Sequence, residues 1–175
     1  MHAHIKSETC LSCATPDLAF APHDHGRCEG EGIERAEVLT GKRGVRLTPV
    51  RRRVLQILLK EHKALGAYDV LNRLAGEGFG NQPPVAYRAL EFLEEQGLVH
   101  RIRRLNAYVA CLHPGEVHAP AFLICRSCNA VAEAATDTTI AALSSAADHL
   151  GFHIERATIE AVGLCPVCQP NEALL

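Results

Sequence analysis

Between residues 48 and 97, apolar positions recur three and four apart in three separate runs, two of them opening on proline. Thr48 is a ready N-cap, and Pro49 follows at the first helical position, where its missing N–H is harmless and its φ is already helical. Val54, Leu55, Leu58 and Leu59 then fall on one stripe behind Arg51, Arg52 and Arg53. A second run, from about Tyr68 to Leu74, turns Val70, Leu71 and Leu74 inward, and Gly76 to Asn81 reads as loop. Pro83-Pro84 opens the third run, in which Val85, Leu90, Phe92 and Leu93 pack and which ends at Gly97. Upstream, a short helix is expected from about Ile33 to Leu39, broken by Gly41 and Gly44. Residues 1–32, with Pro16, Pro22, Gly26, Gly30 and Gly32, read as a polar, flexible tail.

Past Gly97 the period shortens. Leu98–Arg103 and Ala107–Cys111 are β-prone and joined around Leu105-Asn106. Three helices followed by a hairpin is the order of a winged helix-turn-helix, in which the third helix enters the major groove and the wing touches the backbone. That unit is assigned to residues 33–111. Residues 112–170 differ in character. Phe122–Ile124 and Val131–Glu133 read as strands on either side of a Cys-x2-Cys turn. Thr136 to Leu150 is alanine-rich and helical, with Ile140, Leu143 and Leu150 on one side, and Phe152–Val162 is β-rich. A core this small commonly leans on metal and on dimerisation. The expected fold is therefore α+β: an N-terminal winged helix-turn-helix domain, then a small α/β dimerisation domain with a four-cysteine zinc site, ending in a tail over residues 171–175.

Composition excludes more than it identifies. With 47% hydrophobic and 22% charged residues, the chain is neither disordered, collagenous nor a coiled coil. No apolar run approaches the roughly 18–20 residues of a membrane span. The first residues lack the apolar core of a secretory signal, so no membrane association and a cytoplasmic location are expected. Charge is more informative. Residues 42–104 hold 13 Lys/Arg against 6 Asp/Glu, a net of +7, while the flanks are acidic at −4 and −5. A basic middle between acidic ends suits a nucleic-acid surface, and a solvated basic helix face is the plain alternative.

Eight cysteines in a chain expected to stay reduced point to metal before disulfides. Cys125-x2-Cys128 and Cys165-x2-Cys168 can each place two thiolates on one turn, and four thiolates make the closed tetrahedral site of structural zinc. The 36 residues between the pairs accommodate the helix and strand expected there. His100, Cys111, His118 and Glu133 form a second, mixed donor set suited to zinc, drawn from both halves of the chain. By spacing alone these could equally be surface residues, and His113 could compete with His118. A third set, Cys10, Cys13, His23, His25 and Cys28, lies in polar surroundings that suit labile or adventitious binding at least as well as a defined site.

Catalytic motifs are missing. There is no Gly-x-Ser-x-Gly, no His-Glu-x-x-His and no phosphate-binding glycine loop. His153-x-Glu155 ahead of Cys165-x2-Cys168 has a deaminase flavour, but Pro166 sits inside the cysteine pair, the separation is short, and Cys125 and Cys128 would have no role.

The stretch Val45-Arg46-Leu47-Thr48-Pro49-Val50-Arg51, then Ala67-Tyr68-Asp69, then Pro83-Pro84-Val85-Ala86-Tyr87-Arg88-Ala89-Leu90, resembles the ferric uptake regulator superfamily, and Cys111 at the head of the run to His118, with His100 in Val99-His100-Arg101, resembles the zinc-uptake branch within it. Val85-Ala86 stands where that superfamily commonly has Thr-Val. The resemblance covers about Ile33 to Cys168. It implies that His100, Cys111, His118 and Glu133 are the ligands of a regulatory zinc and the two cysteine pairs those of a structural zinc, two Zn²⁺ per chain. It further implies a homodimeric, zinc-responsive repressor of zinc-uptake genes that binds an inverted repeat in double-stranded DNA. On that reading Arg88 reads a guanine edge. Tyr68 and Tyr87 touch thymine methyls or phosphates, with core packing the alternative for Tyr87. Arg51, Arg52, Lys42, Arg43 and Arg46 contact phosphates. Three rivals stand beside it: a sensor of iron, manganese or peroxide from the same superfamily, a zinc-dependent hydrolytic enzyme using the mixed site, and a zinc-ribbon interaction module that does not touch DNA. A thiolate at Cys111 argues against the first, four protein ligands without an open position against the second, and the basic middle segment against the third.

Overall fold

The computed structural model describes residues 25–60, 63–116, 120–134, 136–155 and 157–170. Eleven elements follow one another there: α1 (His25–Lys42), α2 (Pro49–Leu59), β1 (Leu65–Gly66), α3 (Ala67–Gly76), α4 (Pro83–Glu95), β2 (Val99–Ile102), β3 (Ala107–Ala110), β4 (Ala121–Cys125), β5 (Val131–Ala134), α5 (Asp137–His149) and β6 (Ile159–Gly163). Two three-stranded sheets result, β1-β3-β2 and β5-β4-β6.

The three central helices start and stop as their sequence dictates. Thr48 takes the N-cap position of α2 in extended conformation, without a side-chain cap hydrogen bond, Pro49 stands in the first turn, and Val54, Leu55 and Leu58 are buried, joined by Ile57. In α3, Asp69 accepts a hydrogen bond from the Gly66 N–H at 3.1 Å, closing the helix start. Pro83 opens α4, and Gly97 at φ +65° turns the chain into β2. Leu90, Leu93, Leu74 and Val70 form the centre of the larger core, shared by the first four helices.

Elsewhere the structure departs from the expected elements. The helix placed over about Ile33–Leu39 is the 18-residue α1, which takes Gly26, Gly30 and Gly32 out of the tail and into a helix. Gly32 is there for packing, since a Cβ would sit 2.8 Å from both methyls of Leu59 on α2. Gly41 also lies within α1, and Gly44, at φ +67°, makes the turn out of it. Among the described residues of the β-rich stretch the strand begins at Ile159 and runs on to Gly163, where β4 offers five residues of parallel pairing, from Ala121↔Ile159 to Cys125↔Gly163. Phe152 is exposed. Leu143 of α5 and Leu150, just beyond its end, are 43% and 83% exposed, while Ala147 of that helix is buried. The two-residue β1, pairing with β3, was not among the expected strands.

The halves meet along a second apolar cluster. Ile102 and Val109 of the β2–β3 hairpin pack on Phe122, Ile124 and Val131 of the second sheet. The Ala64 N–H, just before β1, donates to the Asn129 carbonyl in the turn between β4 and β5 at 3.3 Å.

Candidate metal centres and nucleic-acid face

Parallel pairing of β6 with β4 solves the problem of the distant cysteine pairs. Cys125, the last residue of β4, lies opposite Gly163, so the chain leaving β6 delivers Cys165 and Cys168 beside the turn that holds Cys125 and Cys128. Each pair sits on a tight turn: the Asn129 N–H donates to the Cys125 carbonyl at 3.0 Å, and the Cys168 N–H to the Cys165 carbonyl at 2.9 Å. The four sulfurs all lie within 4.8 Å of one another. Cys128 Sγ and Cys165 Sγ are 3.8 Å apart. That is nearly twice the ~2 Å of a disulfide and matches the ~3.8 Å edge of a tetrahedron with ~2.3 Å zinc–sulfur bonds. Backbone N–H groups of Cys165, Cys128 and Ser127 turn toward Cys125 and hold its thiol down at about 6. Cys168 is drawn down by Ser127, yet the sulfurs of Cys165 and Cys128 push it up to about 12. A cluster that favours one thiolate and penalises the next is one that a divalent cation completes.

The mixed set is assembled from both halves. His100 lies on β2. Cys111 lies one residue beyond β3, its N–H extending the hairpin ladder to the Leu98 carbonyl at 3.0 Å. Glu133 lies on β5. Their donor atoms fall within 4.8 Å of one another, and His100 Nε2 is 3.6 Å from Glu133 Oε1. The Leu112 N–H donates to the other carboxylate oxygen at 3.2 Å, and the Arg35 guanidinium reaches the Leu112 carbonyl at 3.5 Å. The His100 ring rests against Phe122 with centroids 5.3 Å apart. Burial, reinforced by Glu133, pushes the Cys111 thiol far up. A buried thiol, a half-buried imidazole and a largely covered carboxylate that converge from separate elements form a donor set fitting zinc. His118 lies outside the described residues, as do Cys10, Cys13 and His23; His25 and Cys28 enter only as backbone of α1's first turn.

Arg88 and Tyr87 are exposed on α4, and Tyr68 at the start of α3 meets Tyr87 edge-to-face at 6.5 Å. Both tyrosines are open to solvent, Tyr68 at 62% and Tyr87 at 37%, so Tyr87 is not a core residue. The other basic candidates are largely engaged within the chain. Arg51 lies over the Phe92 ring at 3.5 Å and donates to the Arg46 carbonyl at 2.8 Å. Arg52 pairs with Glu37 of α1, and Arg43 donates to the Gln96 carbonyl at 2.6 Å. Lys42 and Arg46 are exposed. Three exposed arginines of the hairpin, Arg101, Arg103 and Arg104, were not among the expected contacts, although Arg-x-Arg-Arg before a turn is a readable signal.

The chain belongs to the ferric uptake regulator family, whose model matches residues 42–162. It is 39% identical over 144 residues to the zinc uptake regulation protein of Escherichia coli K12, covering 82% of this chain and 84% of that one. The same figures hold for the zinc uptake regulation protein of Shigella flexneri. Among solved structures it is similar to a zinc uptake regulator complexed with zinc and DNA, with a TM-score of 0.76 and 38% identity over 80% of this chain and 94% of that one. It is also similar to holo XcZur, with a TM-score of 0.71 and 36% identity over 79% and 96%. Among the described residues, no helix is long and apolar enough to cross a membrane.

Proposed function

We propose that this protein is a zinc-responsive transcriptional repressor of zinc-uptake genes, a cytoplasmic homodimer whose α1–β3 half is a winged helix-turn-helix DNA-binding domain and whose β4–β6 half is a dimerisation domain. The observation that carries this is the mixed donor set: two of its residues belong to the hairpin and one to the second sheet. The family membership and the DNA- and zinc-bound relative support the same reading.

On this reading His100, Cys111 and Glu133, with His118 as fourth ligand, hold the regulatory zinc, and Cys125, Cys128, Cys165 and Cys168 the structural one, two per chain. Zinc supplies one positive centre shared by donors from both halves. Glu133 holds the hairpin through His100 and, independently, through the Leu112 N–H. An open arrangement separates these donors and loses part of the ligand shell, so the closed one is preferred when zinc is present. Moving a 1:99 population to 99:1 takes about 5.5 kcal/mol of differential affinity, within reach of a site completed only on closure. Thiolate ligation at Cys111 favours zinc over the harder iron and manganese ions.

Dimerisation is supported by an apolar face that the described residues leave uncovered. Leu123 of β4 and Ala161 of β6, directly paired and so on one face, are both exposed, and with Pro166 they line a cavity of about 220 Å³. With a second copy on this face, the two α4 helices can enter successive major grooves of an inverted repeat. Arg88 reads a guanine edge, Tyr68 and Tyr87 touch thymine methyls or phosphates, and Lys42, Arg43, Arg46, Arg51 and Arg52 line the backbone side.

Selection of fragments from the organism's own genome by the zinc-loaded protein tests this. The retained fragments share an inverted repeat upstream of zinc-acquisition genes. Retention without a common sequence, or none at all, contradicts the reading.

A further inference from the structure

The register of the second sheet places three residues in one row across it. Phe122 of β4 lies opposite Glu133 of β5 on one side and opposite Glu160 of β6 on the other. Directly paired residues share a face, so all three look toward the hairpin. Each has a contact there. Glu133 meets His100 in the mixed site, and Phe122 packs on the His100 ring. Glu160 takes the hairpin turn: Oε1 accepts the Arg103 N–H at 2.7 Å and Oε2 accepts the Arg104 N–H at 3.1 Å. Two consecutive backbone N–H groups aimed at one carboxylate make a small anion-holding nest, and charge strengthens both bonds.

We infer that Glu160 is a positioning residue, the metal-free half of a two-point clamp that closes the hairpin onto the second sheet. The inference rests on the reading that the closed arrangement is the one that binds DNA. Glu160 contributes no metal ligand. It biases the hairpin toward the geometry in which His100 and Cys111 reach Glu133, and so lowers the zinc concentration at which the mixed site fills. The hairpin is thereby held at both ends, His100 and Cys111 at the metal site and residues 103 and 104 at the turn, with Phe122 between.

The test is zinc affinity of the mixed site in the full-length chain, measured by chelator competition for wild type, Glu160→Ala and Glu160→Gln, with amide hydrogen exchange at residues 103 and 104. Glu160→Ala raises the free zinc needed for half-filling about tenfold, the scale of one charge-assisted hydrogen bond, and speeds exchange of both amides. Glu160→Gln, which keeps one oxygen acceptor but not the charge, shifts the midpoint less. At saturating zinc both variants bind operator DNA as wild type does, because excess zinc compensates a closure bias but not a damaged fold. An unchanged zinc midpoint in Glu160→Ala overturns the clamp, and so does a loss of operator affinity that saturating zinc fails to restore. If wild type itself never binds operator, the functional reading fails, while the zinc midpoint and amide exchange still decide the clamp.

Discussion

His100 on the hairpin and Glu133 on the second sheet approach to 3.6 Å across the seam between the two halves, with the glutamate side chain only 7% exposed. A buried carboxylate facing an imidazole from another unit is costly unless a further positive charge or proton is shared between them. The adjacent Cys111 adds a third donor, which is why the arrangement reads as a metal centre rather than an ion pair.

Replacing Cys111 by serine is expected to weaken zinc-dependent operator binding while leaving the dimer intact. The loss exceeds the roughly 10–100-fold that removal of an outer-shell partner costs a metal site. Anisotropy on labelled operator and light scattering read the two effects separately.

Cys125→Ser is expected to behave differently. It removes the sulfur to which the N–H groups of Cys165, Cys128 and Ser127 point, and Cys165 and Cys128 lose their common metal. The second sheet then melts early and the protein becomes monomeric, with one zinc lost per chain. Thermal melts with metal analysis check this. Identical behaviour of the two serine variants would falsify the division into regulatory and structural sites.

Arg88→Ala is expected to cost about 1–3 kcal/mol of discrimination against the wrong base, with most of the salt-dependent background affinity retained. Titrations on operator and on random DNA at two salt concentrations measure it. Equal losses on both DNAs would remove Arg88 from base reading.

The Arg53–Glu77 pair, bridging α2 and the end of α3, supplies a pH test away from the metal centres. The hydrogen bond from Arg53 holds the Glu77 carboxyl below its ordinary 4.5. Its stabilisation is therefore complete above about 4.5 and disappears as pH falls through the lower folded value. The stability difference between wild type and Glu77→Gln should vanish over that interval. A difference that persists at lower pH contradicts this assignment.

Much of this was legible because particular residues carry strong local signals. Thr48-Pro49 and Pro83-Pro84 start helices by backbone geometry alone, and two Cys-x2-Cys pairs have few other uses. Gly32 misleads because a glycine that breaks a helix and one that lets two helices touch look identical in one chain; only Leu59, 27 positions on, distinguishes them. Glu160 is invisible for another reason: its partners are backbone N–H groups, which every residue but proline possesses. Leu143 of α5 and Leu150 just beyond it share one side of the helical segment, yet among the described residues both are left exposed.

The most direct test of the account is fluorescence anisotropy of a labelled zinc-transporter promoter fragment, titrated with free zinc in a chelator buffer at fixed protein, and repeated with iron and manganese. The account predicts saturable binding that appears at buffered trace zinc and with neither other metal. Binding that ignores zinc, or that another metal drives, would contradict it.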